Sequence, residues 1–179
     1  PSDIFTKWSV EEKEAIGIYE VVFDDSNKKD EKWYINTNQT FAFTDGVVTA
    51  SYDTAIAKSH ADSLWTQQDS DDGNLPSDKS VGDVRGEGLK TTLIRTLKSQ
   101  VAGILKNTDW YITRNTEKST AIPSSISTHR DAVRTKQAAM EAQITGAADT
   151  AALETLYTFT EQEDGSVTRP LGELPILES

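Results

Sequence analysis

Leu89-Lys90-Thr91-Thr92-Leu93-Ile94-Arg95-Thr96-Leu97-Lys98-Ser99-Gln100-Val101-Ala102-Gly103-Ile104-Leu105, continuing through Asn107-Thr108-Asp109-Trp110-Tyr111-Ile112-Thr113-Arg114, is the stretch that decides the fold. Leu89, Leu93, Leu97, Val101 and Leu105 recur at helical spacing, and Ile94 and Ile104 widen the stripe. A stripe of about five turns predicts an amphipathic helix with one face against a core. Thr108-Asp109 offers a fresh N-cap, so Trp110, Tyr111 and Ile112 should start a second helix at an angle to the first, with Trp110 in the angle between them. Downstream, Pro123-Ser124-Ser125 opens a third helix carrying Ile126, Val133, Met140 and Ile144 on one side and ending at Gly146. Asp149 or Thr150 caps a short fourth helix with Leu153 and Leu156.

Upstream the period changes. Ser9-Val10-Glu11-Glu12 has capping-box spacing and predicts a short helix over about 10 to 16, stopped by Gly17. Ile18-Tyr19-Glu20-Val21-Val22-Phe23, Lys32-Trp33-Tyr34-Ile35, Phe41 with Phe43, and Val47 to Tyr52 read as strands. Asp45-Gly46 between the last two is a hairpin turn, because both residues tolerate positive φ. Residues 18 to 52 are thus expected to form an antiparallel meander, and a helix from Asp53 or Thr54 to about Gln68, with Ile56, His60 and Leu64 on one stripe, to cover one face. The chain reads as an α+β protein: residues 1–68 a meander-plus-helix module, 69–88 an acidic Gly/Pro linker, 89–157 a helical module, and 158–179 an extended tail. If that linker separates two modules, truncation near residue 80 is expected to leave a soluble helical fragment.

Composition narrows the function. In 179 residues only 36% are hydrophobic and the net charge is −11. That balance argues against nucleic acid, whose phosphates call for clustered Lys and Arg. No apolar run is long enough to span a bilayer, so no membrane partner is expected. Without Cys, disulfides, thiol catalysis and thiolate metal sites drop out together. No charged, then apolar, then small-residue signal segment opens the chain, and Pro1 reads as a start from which an initiator Met has been removed, so synthesis in a cytoplasm is expected.

Candidate chemistry is sparse. Gly82 to Thr91 superficially resembles a phosphate loop, but Leu89 interrupts the Gly-Lys-Thr order and Asp83 and Glu87 would repel an anion. Asp69, Asp71 and Gly73 suggest a calcium turn, yet Asn74 and Ser80 stand where an EF-hand needs Gly and Glu. His60 and His129 belong to no metal or nucleophile motif, and a glycosidase carboxylate pair would carry no sequence signature among 29 acidic residues. No enzyme activity and no cofactor are expected. The aromatics are more informative: Trp33-Tyr34 and Trp110-Tyr111 are adjacent pairs that cannot both point one way, so one ring of each can reach a surface. Trp33, Tyr34, Trp65, Trp110 and Tyr111, with Pro170, Leu171 and Pro175 of the tail, are the candidate partner-binding residues.

From about Val84 to Tyr157 the chain resembles tailed-phage tail-fibre assembly and tail-associated proteins. The resemblance is carried by the long helix Leu89 to Leu105, Asp109-Trp110 with Arg114, and Ile122-Pro123 through Arg130-Asp131-Ala132-Val133-Arg134. Gly17-Ile18-Tyr19-Glu20-Val21 and Asp45-Gly46-Val47-Val48-Thr49 are similar to a small β module of phage tail proteins. The resemblance implies a structural subunit of the virion, in the tail, baseplate or fibre-attachment region. It would dock non-covalently onto other tail or fibre proteins and onto neighbouring copies of itself. A fibre-assembly chaperone absent from the mature particle is the alternative, and a carbohydrate-binding receptor-recognition tip a lesser one. The resemblance leaves Arg114 and Arg130 to pair with nearby acids or carbonyls.

Overall fold

The computed structural model describes residues 6–177, and they form an α+β fold in two compact units that divide after Ala57. In the first unit Ser9 caps α1 (Val10–Glu14) through a complete capping box with Glu12. Strands β1 (Val21–Asp24), β3 (Gln39–Thr44) and β4 (Val47–Tyr52) then make a three-stranded sheet in the order β1-β4-β3. Asp45 and Gly46 close the β3–β4 hairpin with φ of 51° and 83°, the left-handed pair such a turn needs.

The expected antiparallel meander needs correction at β1, which lies parallel to β4, with Phe23 level with Ala50. Parallel pairing needs a long crossover, and residues 25 to 46 supply it. β2 (Tyr34–Ile35) leaves this sheet and pairs antiparallel with β5 (Ile56–Ala57). The loop before β2 is built rather than loose. Asn36 Oδ1 accepts from the Lys29 amide and its Nδ2 donates to the Lys29 carbonyl, both at 3.0 Å. Lys32 lies 4.4 Å over the Trp33 ring and Lys29 4.5 Å over Tyr34. Trp33 and Tyr34 are therefore buried, under lysine stems that keep their charges in water.

No helix runs from 53 to 68. That segment holds β5, β6 (Ser63–Leu64) and the start of α2 (Gln67–Asp71). Nor is 69–88 a bare linker: β7 (Val84–Gly86) pairs antiparallel with β6, and Trp65 exchanges backbone bonds with Gly82 and Asp83. The Asp69 carboxylate, in the acidic run whose spacing falls short of a calcium loop, accepts from the Thr66 amide and hydroxyl and from Arg85. With Thr66 as N-cap it completes the capping box of α2.

The second unit is built on α3 (Leu89–Lys106) packed against α5 (Ser124–Gly146), with α4 (Asp109–Lys118) between them in sequence and α6 (Thr150–Tyr157) after them. Its core is Leu93, Leu97 and Val101 of α3, Ile126, Val133, Met140 and Ile144 of α5, and Leu153 of α6. The α3 N-terminus is capped from outside its helix. The Asp62 carboxylate accepts from the Gly88 amide at 2.6 Å and the Thr91 hydroxyl at 2.8 Å. The Ser59 and His60 carbonyls accept from the Leu89 and Lys90 amides. A side chain at Gly88 would overlap the Ala61 carbonyl, so only glycine admits this approach. Asp149 caps α6, and the Thr150 hydroxyl donates to the Lys58 carbonyl at 2.6 Å.

The tail is anchored. β8 (Thr160–Glu161) and β9 (Val167–Thr168) pair as a small hairpin, after which the Leu171 amide donates to the Leu156 carbonyl and its side chain is fully buried.

Candidate docking surfaces

At the α3–α4 junction the motif residues divide their work. Thr108 does not cap α4: its hydroxyl turns back to donate to the Leu105 carbonyl at 3.0 Å. Arg130, buried on α5, sends Nη1 to the Leu105 carbonyl (2.8 Å), the Thr108 hydroxyl (2.6 Å) and the Asp109 carboxylate (2.9 Å). Asp109 thus helps hold the junction through Arg130, and the guanidinium supplies positive charge and donors at the C-terminal end of α3, where carbonyls lack helical partners.

Trp110 is consequently not the plug between helices. It stands 51% exposed on α4, its ring 4.1 Å from that of the half-buried Tyr111, with the Arg114 guanidinium 4.5 Å over Trp110 and 5.4 Å over Tyr111. The stack holds both rings and the cation in one place before any partner arrives. Trp, Tyr and Arg are the residues that most often dominate binding energy at protein interfaces, and the two rings bury a large area at little conformational cost.

The other candidates separate. Trp33 and Tyr34 are core residues of the first unit, and Leu171 is a core residue of the second, so none of the three presents a free docking surface. Adjacency left open which ring of the Trp33–Tyr34 pair would reach a surface, and neither does; Leu171, expected in an extended tail, instead packs into the core. Trp65 is half-buried beneath Arg85, 4.7 Å away. Pro170 is exposed and Pro175 half-buried. Pro175 lines a groove of about 310 Å³ with Ile104, Asn107, Thr108, His129 and the tail residues around it, and Ile176 beside it is 87% exposed.

The first unit carries a surface that single aromatic pairs did not reveal. Register puts Phe23, Ala50 and Phe41 in one row across the sheet and Val21, Val48 and Phe43 in the next, so all six share a face. Phe23, Phe41 and Phe43 are 66%, 64% and 57% exposed. Tyr19 packs 4.6 Å from the Phe43 ring. The signal was present as the two-residue period of all three strands, and its weight appears only once their register is known.

Among the described residues no cluster of three or more His, Cys, Asp or Glu could hold a metal ion. The phosphate-loop resemblance ends at Gly88, whose amide already binds the carboxylate of Asp62. No protein-family model, curated protein or solved structure matches the chain.

Proposed function

We propose that this protein is a structural subunit of a tailed-phage virion, in the tail, baseplate or fibre-attachment region, acting by non-covalent docking rather than catalysis. The observation that carries the reading is the Trp110–Tyr111–Arg114 stack. It falls on the same Asp-Trp and Arg positions that resemble tail-associated proteins, and it presents an ordered aromatic pair and a cation on the surface. Asp109 and Arg130 hold the helix junction from which the stack projects.

Mass spectrometry of purified mature particles tests the assignment. Stoichiometric presence of the chain supports it. Presence in infected-cell lysate with absence from particles transfers it to a transient assembly chaperone. In particles that contain the chain, Trp110→Ala should lower incorporation at least tenfold, since truncating a hot-spot Trp costs about 2 kcal/mol or more of binding. The melting temperature of the isolated chain should change little, because half of that ring already faces solvent.

A further inference from the structure

We infer that the apolar sheet face of the first unit is a self-association surface, covered by the same face of a second copy of this chain. The sheet is two-sided in composition. One side carries Val21, Phe23, Phe41, Phe43, Val48 and Ala50, with Gln39 and Tyr52 at one end, while the other sets Asp24, Thr40, Thr44, Thr49 and Ser51 among Val22, Ala42 and Val47. A small sheet with one apolar face gains independent stability by packing that face on something. The helix that the sequence suggested as a cover does not form, and three phenylalanines stay more than half exposed.

Area and charge select the occupant. A fully buried aromatic side chain removes about 150–250 Å² from water, so the three exposed rings leave on the order of 350 Å² per copy. Two such faces in contact, with the valines and Tyr19 at their margins, reach on the order of 1,000 Å², where specific interfaces begin. None of the paired positions on the face carries a charge at neutral pH, although the chain as a whole has a net charge of −11, and Lys28 lies beside the face, 5.7 Å over the Tyr52 ring at one end. A different protein would be selected by complementary charge, and the centre of this face offers none to read. A second copy needs none, because two-fold symmetry matches the patch to itself in size and shape. The product is a two-layer sandwich with its apolar sides inward at the usual spacing of about 10 Å and its Thr-rich sides in water.

The test is solution mass by analytical ultracentrifugation over a hundredfold range of concentration on the whole chain. The wild type should move from 19.7 kDa to twice that mass. Phe41→Thr/Phe43→Thr should stay monomeric with an unchanged circular-dichroism spectrum, whereas Val22→Thr on the opposite side should still dimerise. The chain has no cysteine, so single introductions read the geometry independently. Phe41→Cys should be captured as a covalent dimer by a short bis-maleimide, since facing sheets lie about 10 Å apart, too far for a direct disulfide. Ala42→Cys, its neighbour on the other side, should not. A wild type that is monomeric throughout, a dimer that survives the double Thr substitution, or equal cross-linking at 41 and 42 would overturn the inference. Solution mass reads the sheet contact and particle content reads the virion assignment, so either can fail without the other.

Discussion

Arg130 shows how one side chain can set a junction between helices. Its guanidinium serves a backbone carbonyl, a hydroxyl and a carboxylate from one buried position. Arg130→Met should lower unfolding free energy in urea by about 2 kcal/mol, since the lost bonds are charge-assisted and the Thr108 hydroxyl they reach is buried. Arg130→Lys should lose less, because an ammonium keeps the charge but cannot span the same acceptors. Equal losses in the two variants would mean that packing, not hydrogen bonding, is what Arg130 contributes. The sequence made Arg130 an ion-pairing candidate, but its principal partners lie 22 and 25 residues away and needed the folded junction to be identified. Trp110 inverted for a related reason. The apolar stripe of a ten-residue helix leaves its outward face undetermined until its neighbours are placed.

Among the elements, α3 depends on residues far upstream in the chain. Hydrogen bonds from the Gly88 amide first and the Thr91 hydroxyl second hold the Asp62 carboxyl below its usual pKa. The Arg95 guanidinium does the same for Glu87, and the Thr66 side chain for Asp69. A folded pKa below the unfolded value means that each contribution is complete above the ordinary carboxylate range, near pH 4, and disappears as pH falls through the folded value. The urea midpoint should therefore drop between neutral pH and pH 3. Asp62→Asn should start lower at pH 7 and fall less steeply, because it has no proton to gain there. A wild-type slope matched by the variant would remove Asp62 from the linkage. Helix periodicity made α3 and α5 readable within a residue or two at most ends. The cap was not readable, because Asp62 sits in a stretch whose spacing of Ile56, His60 and Leu64 imitates a helical stripe.

At the scale of the whole molecule, the boundary after Ala57 has a direct consequence. A fragment covering residues 58–179 keeps the Lys58–Thr150 bond, the Ser59 and His60 carbonyls and the Asp62 cap, and it should unfold in a single cooperative transition. A fragment beginning near residue 80 loses all of them and should melt at a lower temperature by circular dichroism. Indistinguishable melts would show that segment 58–79 adds nothing to the helical unit. By itself the sequence determined the α+β class, the Ser9 capping box of α1 and the Asp149 cap of α6, the Asp45-Gly46 hairpin and the apolar positions of α3 and α5. Each of these is set by neighbours within about one turn or one hairpin, through periodicity, capping and backbone freedom. Only the tertiary structure decided that β1 runs parallel to β4, that Trp33, Tyr34 and Leu171 are core, and that Trp110 and the phenylalanine face are surface. Those outcomes depend on which distant segments meet, and local preference assigns residues to a face without saying what, if anything, will cover it.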